Sequence, residues 1–304
     1  MTAPTPARNE DSVHHIRFRA GKPTRSPRGS APSAGTANPE RRGRRPAGPL
    51  PVGVRSRRDS PPPRPRAFVS DLDRTLLRPG GRPTEWARAA LQTARAMGLR
   101  TMLVSGRTYS DLTRLARPFG AWDALVAENG AVVEAPCGSS PLVLGSGVGA
   151  AVRRRLRTYA GKRPEFGRVV VSFPRRERRY FLQALHGLPV DIIANVDRLM
   201  VLPLGVTKRS GVRLALRRLG LGGAGYAAIG DASNDLELLD GASLSGAVAN
   251  AESTVRSTAD YVCRGSFDRG VLEFVSGPLW ARVGGGPPWP GLTGGPLGHG
   301  RGPR

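Results

Sequence analysis

Residues 67–75 read AFVSDLDRT, and residues 226–235 read YAAIGDASND. Each is a short apolar run that stops at a carboxylate. A strand buried on both faces of a parallel sheet reads as such a continuous run, without the alternation of a half-exposed strand. After the first run, TEWARAALQTARAMG (84–98) spaces Trp86, Ala90, Leu91, Ala94 and Met97 along one helical face, with Thr84 as N-cap and Gly98 as stop. RTMLVS (100–105) is the next strand, YSDLTRLARPFG (109–120) the next helix, and ALVAENG (124–130) a third strand and turn. Strand, helix, strand, helix, strand predicts an α/β fold with a parallel sheet and helices on both faces. The rhythm resumes at TKRSGVRLALRRLGL (207–221) and continues through YAAIGD, SNDLELLDGA, SGAVAN, ESTVRSTA and DYVC to a last helix, RGVLEFVS (269–276).

Between the halves the texture changes. Residues 131–205 offer strands at AVVEA, PLVLG, RVVVSF, VDIIA and LMVLP, mixed with helices near 147–160 and 175–186. This α+β pattern predicts a small inserted domain.

In an open parallel sheet, ligands bind outside the carboxyl ends of the strands. Asp71 and Asp73 follow the first strand, although a DxD alone reads equally well as a solvated acidic turn. Ser105, Gly106 and Arg107 end the second strand before a helix, where a hydroxyl and free N–H groups suit an anion. Lys208 opens the helix after the insertion, an unfavourable end for a cation unless it has a partner. Asp231, Asn234 and Asp235 follow the fourth strand, and Asp235 also fits the first turn of a helix. Together four carboxylates, one lysine and one serine gather on one sheet edge. Four such carboxylates repel and call for a cation, and hard oxygen ligands suit Mg²⁺. The lysine and serine suit a phosphate.

The order DxDxT, a serine after the second strand, a lysine after an insertion, then GDxxND resembles the haloacid dehalogenase (HAD) superfamily over roughly residues 67–276. AENGA, LPLGVTK and GDASNDLELLDGASLSGAVANAESTVRSTADYV are similar to its Cof-type sugar-phosphatase branch, which also holds phosphoglycolate, sucrose-phosphate and mannosylglycerate-phosphate phosphatases. The resemblance implies a HAD-like Rossmannoid core over 67–130 and 206–276, with 131–205 as a C2-type cap that covers the site and chooses the substrate. It implies a Mg²⁺-dependent phosphatase for a small phosphorylated metabolite, such as a sugar phosphate or phosphoglycolate. Asp71 would be the nucleophile that becomes an aspartyl-phosphate, and Asp73 the general acid and then base. Ser105 would hold a phosphoryl oxygen with Gly106 and Arg107 beside it, Lys208 would neutralise developing charge, and Asn234 would orient the phosphate. Mg²⁺ would be held by Asp71, Asp231, the backbone carbonyl of Asp73 and, through water, Asp235. Arg74 and Arg209 stand where the family usually has glycine, and the cap is short, about 75 residues.

Beyond this stretch the chain is basic and poor in apolar periodicity. Lys and Arg number 47 against 23 Asp and Glu, a formal net charge of +24. Residues 1–66 hold 15 basic and 4 acidic side chains, and 277–304 are Gly/Pro-rich; both are expected to be disordered tails. Only Lys22, Lys162 and Lys208 are lysines, an arginine bias of the kind a GC-rich genome encodes. The basic excess therefore reads as composition more than as a nucleic-acid footprint. A phosphotransferase or mutase on the same fold, and a nucleic-acid-binding protein using the basic arms, are the alternatives. GLGGAG (220–225) follows a helix and precedes a strand, the reverse of a dinucleotide fingerprint. Cys137 and Cys263 are too few for a disulfide framework or a four-cysteine zinc site. No apolar run reaches the ~18 residues of a membrane span, and no signal-peptide core follows the N-terminus, so a cytoplasmic location is expected.

Overall fold

The structure, a computed structural model, describes residues 62–157, 164–195 and 198–284, and the backbone of 15–18. In chain order its strands are β1 (His15–Phe18), β2 (Pro65–Asp71), β3 (Arg100–Val104), β4 (Ala124–Ala127), β5 (Val132–Glu134), β6 (Leu142–Val143), β7 (Glu165–Phe166), β8 (Val171–Pro174), β9 (Val190–Asn195), β10 (Arg198–Pro203), β11 (Gly225–Gly230), β12 (Leu244–Ala247) and β13 (Tyr261–Val262). The main helices are α1 (Glu85–Ala96), α2 (Tyr109–Ala116), α3 (Ser146–Leu156), α4 (Arg178–Leu185), α5 (Lys208–Arg218), α6 (Leu236–Asp240), α7 (Ser253–Thr258) and α8 (Phe267–Phe274).

Eight strands form the core sheet in the order β13-β12-β11-β2-β3-β4-β5-β6. From β13 to β4 all neighbours are parallel, while β5 and β6 add an antiparallel edge. This is the α/β Rossmannoid architecture, with helices on both faces. β11 is buried along its whole length and β2 from Ala67 to Asp71, which is why both read as unbroken apolar runs. Phe68, Met102, Leu103, Ile229 and Phe274 lie in the resulting core. The chain leaves β2 toward β3 and β4, and leaves β11 toward β12 and β13. The order therefore reverses between β2 and β11, and a crevice opens at their carboxyl ends.

AVVEA and PLVLG, expected inside the insertion, instead extend the core sheet as β5 and β6. A tight reversal makes this possible: Glu128, Asn129 and Gly130 all adopt positive φ, at 53°, 52° and 101°. A Cβ at Gly130 would run into the carbonyl oxygen of Thr207, so the segments that lead into and out of the insertion touch there.

The inserted unit accordingly runs from α3 to β10. Its antiparallel sheet, β1-β9-β10-β8-β7, carries α3 and α4 on one face, where Phe173 stacks on Phe181 at 4.2 Å beside Val171, Leu199 and Val201. The alternate residues Met200 and Leu202 lie on the other face with Val169, Ile193 and Ala131. Thus one face holds the unit together and the other looks onto the core.

Two ends differ from expectation. His15–Phe18, within the stretch expected to be a disordered tail, pairs antiparallel with β9, Ile16 opposite Ile192. The edge of β9 offers unpaired backbone groups, and four residues suffice to meet them; the remainder of 1–61 lies outside the described residues. At the other end the fold continues past 276. Val275, Leu279 and Val283 recur at helical spacing and are buried, at 0%, 0% and 6% exposure. A wide helical turn over Val275–Leu279 accommodates Pro278, which has no N–H to give. Residues 285–304 lie outside the described residues. Among the described residues no helix is long and apolar enough to cross a membrane.

Candidate active site

Asp71 ends β2, Asp231 follows β11 directly, and Asp235 closes the turn Ser233–Asp235. Because β2 and β11 are hydrogen-bonded neighbours, these acids converge. One oxygen of each carboxylate lies within 4.8 Å of the others, and all three residues are buried. Lys208, the first residue of α5, is 2% exposed, and its Nζ donates to Asp71 Oδ1 at 2.7 Å and to Asp235 Oδ1 at 2.6 Å. These are the partners that a lysine at a helix N-terminus requires. Thr207 caps the same helix reciprocally with Ser210, which fixes the lysine's backbone.

Asp235 also serves its own turn: Oδ2 accepts the N–H groups of Asp231 and Ala232, both at 3.1 Å. Asp235 therefore both closes the helix start, as its first-turn position predicts, and stands in the buried acidic cluster. Thr75 Oγ1 donates to Asp231 Oδ1 at 3.1 Å. Asp231 Oδ2 is buried and accepts no hydrogen bond; Arg74 Nε stands 3.2 Å away as an ion pair, on a side chain 44% exposed.

Burial is the main force on Asp71 and Asp231. It pushes the Asp71 carboxyl well above the ordinary range, with Asp235, Asp231 and Asp73 adding to the rise and Lys208 opposing it. Asp231 is pushed up to about 7, first by burial and then by Asp235. Burial also works against the charge of Lys208, but Asp235 and Asp71 outweigh it and hold its pKa above that of an ordinary lysine.

The Asp73 side chain turns the other way. Arg107 grips it in a fork, Nη2 to Oδ1 at 2.7 Å and Nε to Oδ2 at 2.8 Å, and Ser105 Oγ donates to Oδ2 at 3.3 Å. The acidic cluster thus brings together Asp71, Asp231 and Asp235, and the carboxylate of Asp73 stays outside it. Asn234 Nδ2 donates to Asn129 Oδ1 at 3.2 Å, and Asn234 Oδ1 is buried without a partner. A cavity of about 60 Å³ joins Asp71, Asp73, Ser105, Gly106, Lys208 and Asn234. A larger cavity of about 500 Å³ opens near Gly98, Arg100 and Trp122, at the other end of the strands, and holds none of these groups. Arg209 turns away to Asp240 at 3.2 Å.

Sequence reasoning assigned no role to Thr75, Asn129 or Glu128. All three lie inside the motifs DxDxT and AENGA, but their contacts are long-range. Glu128 is 1% exposed, and its carboxylate accepts the N–H groups of Arg168, Val169 and Val170 at 2.7, 2.9 and 2.9 Å. It ties the inserted unit to the core. Gly167 leaves room for it, since a Cβ there would lie 2.6 Å from the Glu128 carboxylate.

The sequence profile of the haloacid dehalogenase-like hydrolases matches residues 68–140 and 192–275. Phosphoglycolate phosphatase 1 of Saccharolobus solfataricus is 31% identical over 225 residues, covering 69% of this chain and 94% of that protein. The phosphoglycolate phosphatase of Methanoculleus marisnigri is 28% identical over 228 residues, covering 69% and 95%. Among solved structures, a Thermoplasma acidophilum protein superposes with a TM-score of 0.61 at 17% identity, over 73% of this chain and 99% of that one. A sugar phosphatase of HAD subclass IIB superposes with a TM-score of 0.56 at 18% identity, over 72% and 99%. The chain belongs to the haloacid dehalogenase-like hydrolases, in the Cof-type branch. It is an enzyme of the phosphatase class.

Proposed function

We propose that the protein is a Mg²⁺-dependent phosphatase that hydrolyses a small phosphomonoester, a phosphoglycolate-like acid or a sugar phosphate, through an aspartyl-phosphate. The observation that carries this reading is the buried cluster of Asp71, Asp231 and Asp235 joined by Lys208 at the carboxyl ends of β2 and β11. The names of the relatives support the substrate class.

The donor set fits the cation. Three buried carboxylates face one buried ammonium and one half-exposed guanidinium, and Asp231 Oδ2 has no hydrogen bond. Hard oxygens at one point suit Mg²⁺, held by Asp71, Asp231, the Asp73 carbonyl and, more remotely, Asp235. When bound, it would offset carboxylate charge and favour the phosphoryl oxygens.

The chain's own residues then divide the chemistry. Lys208 favours the ionised form of Asp71, which attacks phosphorus while the ester oxygen leaves. Asp73 gives that oxygen a proton. It then takes a proton from the water that attacks the aspartyl-phosphate, and Asp71 is regenerated. Ser105 and the N–H groups that follow it hold the phosphoryl oxygens, with Asn234 beside them. The same reading places the enzyme in the cytoplasm, among soluble phosphorylated metabolites.

The test is phosphate release from 2-phosphoglycolate and p-nitrophenyl phosphate. EDTA should abolish it, Mg²⁺ should restore it, and Asp71→Asn should remove it while the circular dichroism spectrum stays native. Undiminished turnover by Asp71→Asn would refute the mechanism.

A further inference from the structure

On β10, Leu199 and Val201 point to the helices of the inserted unit, so Arg198 and Met200 lie on the opposite face, toward the core. Met200 is the direct cross-strand partner of Ser172 on β8. Arg198 Nε donates to Ser172 Oγ at 3.0 Å, and Nη2 donates to the Ser172 carbonyl at 3.0 Å. These bonds set the guanidinium plane, and the side chain is only 25% exposed. Arg198 and Ser172 together meet one carboxylate, that of Glu165. Nη1 lies 3.3 Å from Oε1, and Ser172 Oγ lies 3.4 Å from Oε2. Both distances are long for charge-assisted bonds, and Glu165 is 67% exposed.

This arrangement borders a cavity of about 170 Å³ between the inserted unit and the core. Its volume is that of roughly five or six waters. Gly106 lines both this cavity and the one that holds Asp71, so the two adjoin. The other charges around it are engaged elsewhere. Arg107 grips Asp73, Asp111 pairs with Arg114 at 2.9 Å, and Glu128 is taken by three backbone N–H groups.

We infer that Arg198 and Ser172 form a subsite for the carboxylate of a short phosphorylated acid, and that Glu165 occupies it in the free enzyme as a displaceable stand-in. The inference rests on the phosphatase reading above and narrows it. The phosphoryl group lies against Asp71, the leaving group passes Gly106, and its carboxylate replaces Glu165 on the guanidinium. A planar fork is matched to a carboxylate and ill matched to a neutral sugar hydroxyl. A neutral ester would leave Glu165 in place and gain nothing from Arg198.

The test compares the full-length enzyme and its variants on 2-phosphoglycolate and on 2-hydroxyethyl phosphate, which replaces the carboxylate by a hydroxymethyl group. Arg198→Ala should raise KM for phosphoglycolate by about 10- to 100-fold, the worth of hydrogen bonds to a charged partner. It should leave KM for hydroxyethyl phosphate unchanged, and Arg198→Lys should recover part of the loss. Glu165→Gln should act in the opposite direction and lower KM for phosphoglycolate alone by about 2- to 5-fold, the worth of an exposed ion pair. Because Glu165 is exposed, this variant folds even if Arg198→Ala does not. Equal effects on both esters, or no fall in KM with Glu165→Gln, would overturn the subsite. No phosphate from either ester with the unaltered enzyme would overturn the phosphatase reading itself, and the subsite with it.

Discussion

Replacing Lys208 by methionine keeps the length of the side chain and removes its charge. Lys208 is 2% exposed, and it bridges an Asp71 side chain 5% exposed and an Asp235 side chain with no exposure. Removing one partner of such a buried group strands the others, at a cost of about 3–5 kcal/mol. For a chain of this size, each kcal/mol lowers Tm by roughly 2–4 °C, so a fall on the order of 10 °C is expected. The loss should depend on pH. In the folded protein burial pushes the Asp231 carboxyl up to about 7, whereas in the unfolded chain it titrates near its usual ~3.9. Between roughly pH 4 and 7 the folded state keeps a proton that the unfolded state has lost, so metal-free stability falls as pH rises through this window. Asp71, already raised by burial, loses the ammonium that opposes the rise and is pushed up further, so the gap between variant and unaltered enzyme should widen from pH 5 to pH 8. Thermal unfolding in EDTA at both pH values measures it. Equal Tm values at pH 8, or a gap that does not change with pH, would refute the reasoning.

Asp73→Asn should lower kcat on 2-phosphoglycolate by on the order of 10²–10⁴ while leaving Tm within a few degrees, since its carboxylate is half exposed; steady-state kinetics and a melt check both. Glu128→Ala should strand three N–H groups, those of Val169 and Val170 buried, and hydrogen exchange at Arg168, Val169 and Val170 should speed up well before that of β11.

The sheet was legible because its central strands are buried on both faces and end at carboxylates, so fold and site share one signal. Thr84 does cap α1, accepting the Ala87 N–H at 3.3 Å, and Gly98 does adopt the positive φ of a stop, at 75°. Sheet membership was less legible. AVVEA and PLVLG read as strands, but nothing local says which sheet they join; the positive φ angles at 128–130 decide it. Gly277 and Pro278 look like the end of the fold, yet Leu279 and Val283 carry the helical spacing across them into the core. HIRF at 15–18 is too short and too deep in basic sequence to stand out, although its backbone pairs with β9. In the site, the acids were legible from strand ends and the lysine from the start of the helix that follows the insertion. The grip of Arg107 on Asp73 and the Asn129–Asn234 contact were not, because both are set by distances between loops.

The contact of Gly130 with Thr207 has a topological meaning. The inserted unit departs and returns at one point, so the core chain on either side is already joined in space. Adding or exchanging residues in that excursion lengthens no path between Asp71, Lys208, Asp231 and Asp235, none of which it supplies. A loop whose ends already meet also adds little closure entropy as it grows, about 0.6 kcal/mol per doubling. The insertion is therefore a module whose residues can change while the buried cluster of Asp71, Lys208, Asp231 and Asp235 stays the same.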